Sequence, residues 1–92
     1  MSGYTQLKMN SDFTKFIIAN KNTLTIKFYT YNTRTDTWSS KNPISTSPSV
    51  KYFSLSSDWT ILGYIDNNNE VYISKYDSLN DIYTNPTKVT LS

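Results

Sequence analysis

Asp36-Thr37-Trp38 and Asp81-Ile82-Tyr83 each set a carboxylate two residues before an aromatic ring, and they do so twice in a chain of 92 residues. An aromatic face stacks on a sugar ring, and a neighbouring carboxylate accepts bonds from its hydroxyls. Arg34 stands two residues before Asp36, and Trp59 follows Asp58. The candidate ligand-binding set is therefore Arg34, Asp36, Trp38, Trp59, Asp81 and Tyr83. The competing reading assigns Trp38 and Tyr83 to the core, where aromatics on outer strands fill space between packed sheets.

Two further acidic groups invite chemistry. Asp12 and Asp58 are followed by Phe13 and Trp59. They serve either as repeated ligand acceptors or as turn residues whose carboxylates take backbone N–H bonds in a tight hairpin. Asp66-Asn67-Asn68-Asn69-Glu70 gathers five oxygen-bearing side chains, a donor set that suits a hard cation. The segment lacks the glycine and the length of an EF-hand loop, however, and its counterpart Asn20-Lys21-Asn22 carries a lysine that repels cations. A hairpin tip is the expected reading, with no metal and no cofactor.

Catalysis is disfavoured by what the chain omits. It has no histidine and no cysteine, so nucleophilic triads, thiolate metal sites and disulfides are all excluded. Paired-carboxylate hydrolysis needs two acids close together, and the aspartates here all fall in turn-like settings. No glycine-rich phosphate loop is present. The expectation is a non-enzyme with no catalytic residues.

The net charge is +2, the lysines are scattered, and Arg34 is the single arginine. A nucleic-acid binder concentrates its cations on one face and uses arginine for clamping and base readout, so no nucleic-acid partner is expected. No apolar run approaches the roughly 18 residues of a membrane-spanning helix. No signal pattern or glycosylation sequon is visible either, which fits a cytoplasmic protein with no membrane partner.

The elements that must position these residues are strands. Helix formers are scarce, with one alanine and one glutamate, and no helix is predicted. Leu24-Thr25-Ile26-Lys27-Phe28-Tyr29-Thr30-Tyr31 alternates with a period of two, which puts Leu24, Ile26 and Phe28 on one face. Val71 to Tyr76 is a second such strand. Phe16-Ile17-Ile18-Ala19 and Ile61-Leu62-Gly63-Tyr64-Ile65 are apolar on both faces, as strands between two layers are. Asn- and Asp-rich segments separate about eight strands. With only two glycines, asparagine and aspartate are expected to supply the turn positions of positive φ.

The two halves repeat. Ser11-Asp12-Phe13-Thr14 returns 46 residues later as Ser57-Asp58-Trp59-Thr60, and Leu24-Thr25-Ile26 returns as Val71-Tyr72-Ile73. Each half closes on an Asn-Pro pair, Asn42-Pro43 and Asn85-Pro86. The halves 1–46 and 47–92 thus read as two repeats in one structural domain, and a period in the forties with four strands per unit matches β-propeller blades. Phe53 to Leu62 followed by Val71-Tyr72-Ile73 and Tyr76-Asp77 resembles a WD40 repeat. Phe28 to Trp38 resembles the later half of a kelch repeat. Neither the Gly-His pair of the first family nor the Gly-Gly doublet of the second is present, so the resemblance implies blade architecture and carries over no functional residue.

A four-stranded blade has two apolar faces, and two blades leave two faces bare. Domains of this size are marginal without disulfides or metals, so the expectation is a ring closed by a homo-oligomer, with a trimer preferred. Small two-blade lectins that form six-bladed trimers are similar in architecture, although their repeated Arg, Glu and Trp sugar set is not matched by Arg34 and Glu70. The alternative fold is a two-sheet β-sandwich. The functional expectation is a non-catalytic binding module for a glycan or protein ligand, lectin-like; the alternative is a self-assembling scaffold, including a designed or excised propeller fragment.

Overall fold

The computed structural model describes residues 3–40, 43–46 and 48–91. Met1, Ser2, Lys41, Asn42, Ser47 and Ser92 lie outside the described residues, so the first Asn-Pro pair is followed only at Pro43. Among the described residues there are ten strands and no helix, and so no helix long and apolar enough to cross a membrane.

The first sheet takes β1 (Tyr4–Met9), β2 (Lys15–Asn20), β3 (Thr25–Asn32), β4 (Thr37–Ser40) and the short β5 (Ile44–Ser45). The second takes β6 (Val50–Leu55), β7 (Ile61–Asp66), β8 (Val71–Asp77), the short β9 (Ile82–Tyr83) and β10 (Thr87–Val89). Both are antiparallel meanders in chain order, β1-β2-β3-β4 and β6-β7-β8. In each, the fourth strand is broken in two. β4 pairs the C-terminal part of β3 and β5 its N-terminal part; β9 and β10 divide β8 in the same way. Pro43 and Pro86 fall in the breaks, where a residue without an N–H cannot extend the ladder. The expected pair of four-stranded antiparallel sheets is what the chain forms.

The repeat extends to backbone detail. The β1–β2 register slips between Tyr4 and Gln6, and the β6–β7 register slips between Val50 and Tyr52. The registers align Ile26 with Val71, so the expected match of Leu24-Thr25-Ile26 with Val71-Tyr72-Ile73 is shifted by two residues. Non-glycine residues of positive φ come in three pairs: Phe13 with Trp59, Leu24 with Asn69, and Asp36 with Asp81. Half of these are not the asparagine or aspartate expected. Phe13 and Trp59 close the β1–β2 and β6–β7 turns, donating their N–H groups to the Asn10 and Ser56 carbonyls. The turn therefore imposes the left-handed conformation despite the Cβ penalty of roughly 1–2 kcal/mol. Leu24, expected to share a strand face with Ile26 and Phe28, instead lies in the β2–β3 turn with φ 56°, and β3 begins one residue later.

Opposed residues in an antiparallel pair share a face, so the registers define each sheet's two sides. Gln6, Lys8, Ile17, Ala19, Ile26 and Phe28 form the inner face of the first sheet. Phe53, Leu55, Leu62, Tyr64, Tyr72, Tyr76 and Tyr83 form the inner face of the second. The core lies between them, with Ile17, Ala19, Phe53 and Leu62 at no more than 1% exposure. Full burial of an aliphatic or aromatic side chain is worth roughly 1.5–3 kcal/mol. Phe28 crosses the junction edge-on, with its ring 5.3 Å from that of Tyr83 at 88° and 6.1 Å from that of Tyr76 at 76°. Gln6 bridges β1 and β6, the first strands of the two sheets: its amide nitrogen donates to the Phe53 carbonyl and its amide oxygen accepts from the Phe53 N–H, both at 2.8 Å.

These two inner faces are not equivalent in the repeat. Phe53 corresponds to Leu7, and Leu62 to Phe16, both on the outer face of the first sheet. Ile17 corresponds to Gly63 and Phe28 to Ile73, both on the outer face of the second. The sheets stack front to back, as blades do.

Candidate functional site at the sheet junction

The β1–β2 and β6–β7 turns lie at the same end of the molecule and enclose a cleft of about 510 Å³. The first sheet contributes Lys8, Met9, Asn10, Ser11 and Lys15; the second contributes Leu55, Ser56, Ser57, Asp58 and Trp59. Strand parity explains the lysines. Lys8 opposes Ile17, and Lys15 lies two residues before it, so both side chains belong to the inner face and sit at its rim.

Each turn is held by its own polar residues. Asp58 Oδ1 accepts from the Thr60 N–H at 3.1 Å, the Thr60 hydroxyl at 2.7 Å and the Ser56 hydroxyl at 2.9 Å. Asp12 accepts from the Thr14 N–H at 3.3 Å and the Thr14 hydroxyl at 2.6 Å. The threonine bonds hold both carboxyls below the ordinary carboxylate value, so each is ionised at neutral pH. The Trp59 carbonyl accepts from the Tyr83 hydroxyl at 2.6 Å, which fixes the tryptophan segment against the second sheet. Behind it a small recess of about 50 Å³ runs between Lys15, Phe28, Trp59, Tyr76 and Tyr83.

The six residues singled out in the sequence do not share one site. Trp59 and Tyr83 meet at the junction. Tyr83 is 7% exposed, and burial raises its hydroxyl pKa. Asp81 accepts a short hydrogen bond from the Tyr76 hydroxyl, which, with burial, pushes Tyr76 up to about 12. Asp36 does the same for Tyr31 at 2.5 Å and raises its pKa. Both aspartates thus close turns by binding a tyrosine on the preceding strand. Trp38 opposes Tyr31 on β3 and lies on the outer face of the first sheet, its ring 5.0 Å from Phe16 and 5.0 Å from Tyr31. Arg34 is exposed in the β3–β4 turn, where its N–H donates to Asn32 Oδ1.

The oxygen-rich segment folds as a hairpin tip. Asp66 accepts from the N–H groups of Asn68 and Glu70. Asn67 donates to Ser49, Asn69 accepts from Lys51, and Glu70 pairs with Lys88 at 2.9 Å. The side chains of Asn67, Asn69 and Glu70 are thus each engaged by a different residue.

Lys8 and Lys15 were not singled out in the sequence, where they read as two of several scattered lysines. The available signal was their position on either side of the Asn10-Ser11-Asp12 turn, with the parity of Ile17.

No protein-family model matches the chain, and no curated protein matches it either. Among solved structures it is similar to a protein from Lactobacillus plantarum, with a TM-score of 0.74 and 16% identity, over 95% of this chain and 28% of that one. The chain thus spans little more than a quarter of that protein's length. At this identity the likeness shows the fold: two successive four-stranded antiparallel sheets stacked in this way also occur within a much longer chain.

Proposed function

We propose that this chain is a non-catalytic binding module and that the junction cleft is its recognition site, taking a carbohydrate that carries an acidic group. The observation that carries this reading is the cleft's composition. Trp59 offers a ring for stacking, Lys8 and Lys15 offer two ammonium groups, and Ser11, Ser56 and Ser57 surround them with hydroxyls. Aromatic rings with short polar side chains give adaptable recognition at low entropic cost. The carboxylates of Asp12 and Asp58 are engaged by their own turns, which supports a binding role for the site over an acid–base one.

Screening against an array of acidic and neutral glycans tests the proposal, with Lys8→Gln/Lys15→Gln and Trp59→Ala run in parallel. Binding to acidic glycans is expected, weakened at least tenfold by either change. No glycan bound at high protein concentration, or binding indifferent to both variants, overturns it.

A further inference from the structure

The correspondence between the halves makes each face of one sheet a control for the same face of the other. Leu7 and Phe53 are equivalent, yet Leu7 is 53% exposed and Phe53 1%. Trp38 and Tyr83 are equivalent, at 41% and 7%. On the opposite side, Ile17, Ile26 and Phe28 are buried, while their counterparts Gly63, Val71 and Ile73 are only partly covered. Each face is thus closed in one half and open in the other, and the two open faces are the complements of the two closed ones.

We propose that a second copy of this chain closes them, the outer face of its second sheet (Gly63, Ile65, Val71, Ile73) seating on the outer face of the first sheet (Leu7, Phe16, Tyr29, Trp38) as the inner faces seat on one another within the chain. The contact continues the junction already present and needs no new packing mode. It is heterologous, so it propagates from copy to copy until the rotation closes a ring. One lysine lies on each apolar stripe, with Asp77 beyond Lys75 at the end of β8, and the two lysines do not oppose one another. Lys27 stands in the place of Tyr72, and Lys75 in that of Thr30, near opposite ends of their strands.

The same correspondence specifies the new junctions. Between copies, Ser54 and Ile61 take the places of Lys8 and Lys15, and Phe13 takes that of Trp59. Asp12 likewise takes the place of Asp58, so cationic clefts alternate with lysine-free ones that carry a carboxylate, one of each per chain. The inference stands apart from what the cleft holds, since a single chain already carries one complete cationic cleft.

Light scattering and sedimentation on the unsubstituted protein test it first, with a mass at least twice the 10.6 kDa of one chain expected. Leu7→Arg blocks one face and Ile65→Arg the other, and in an isolated chain either arginine extends into water. Each variant alone is expected to be monomeric, and an equimolar mixture to form a dimer that grows no further, because one open face remains on each. A 10.6 kDa species at every concentration, either variant self-associating alone, or folded variants that fail to combine overturns the proposal. Hydroxyl-radical footprinting of the unsubstituted chain gives the same test without variants. Trp38 and Tyr52 are expected to lose reactivity together as concentration rises, and protection of neither or of only one overturns it.

Discussion

Gln6 pairs its side-chain amide with both backbone groups of Phe53, 47 positions further on. The amide acts as one extra rung of ladder between two sheets that otherwise meet through apolar side chains. Phe53 is buried, so losing the amide strands its N–H and C=O in a place water reaches poorly. Gln6→Ala is therefore expected to lower stability by about 1–3 kcal/mol, read by chemical denaturation. Gln6→Glu keeps the acceptor and loses the donor, and is expected to recover part of that loss.

The Phe13 and Trp59 turns adopt the same strained conformation for different returns. Phe13 is 67% exposed, so its side chain offsets little of the left-handed penalty. Phe13→Gly removes roughly 1–2 kcal/mol of strain against roughly 0.5–1 kcal/mol of added chain entropy. A net gain of about 0.5–1 kcal/mol is expected in thermal melts at low protein concentration. Trp59 packs against the core, and Trp59→Gly is expected to destabilise by roughly 1–2 kcal/mol.

The repeat, the strand content and the apolar alternation of β3 and β8 were legible because each follows from a local periodicity of two or from direct recurrence. The turn residues were less so. Leu24 continues an apolar alternation, and only the left-handed backbone that the β2–β3 turn imposes on it takes it out of the strand. The acid–aromatic pairs were visible as a pattern, but the pattern does not show that Tyr31 and Tyr76 claim the carboxylates. Nor does it show that, of the equivalent Trp38 and Tyr83, one lies on an open outer face and the other inside the junction. The cleft was the least legible feature, because it forms between segments whose separation of nearly fifty residues leaves no local trace.

Alkali is expected to unfold the protein over a window set by its tyrosines. Burial, with the nearby Tyr72, pushes Tyr64 up to about 12, and the Asp81 bond, with burial, pushes Tyr76 to about 12. An unfolded tyrosine ionises near 10, so the unfolded chain loses these protons first. The stability tied to the protonated hydroxyls is complete below pH of about 10 and is lost as pH rises toward about 12. Melting temperature against pH is expected to bend downward across that window. Tyr76→Phe, which keeps the ring and removes the titrating hydroxyl, is expected to flatten the bend.

Equivalent truncations at Phe53 and Leu7 separate burial from sequence position. Both sit on the first strand of their sheet, just past the same register slip, so a purely local account of strand stability gives them similar weight. Phe53 fills the centre of the junction, and Phe53→Ala removes its transfer energy and leaves a cavity, a loss of about 3–5 kcal/mol. Leu7 faces outward in the single chain, and at low concentration Leu7→Ala is expected to change stability by no more than about 0.5 kcal/mol. Repeating both melts at rising protein concentration makes the contrast informative. The cost at Phe53 is expected to hold steady, while the cost at Leu7 grows as its face is covered. A Leu7 cost that stays flat across the whole range would show that this face remains open.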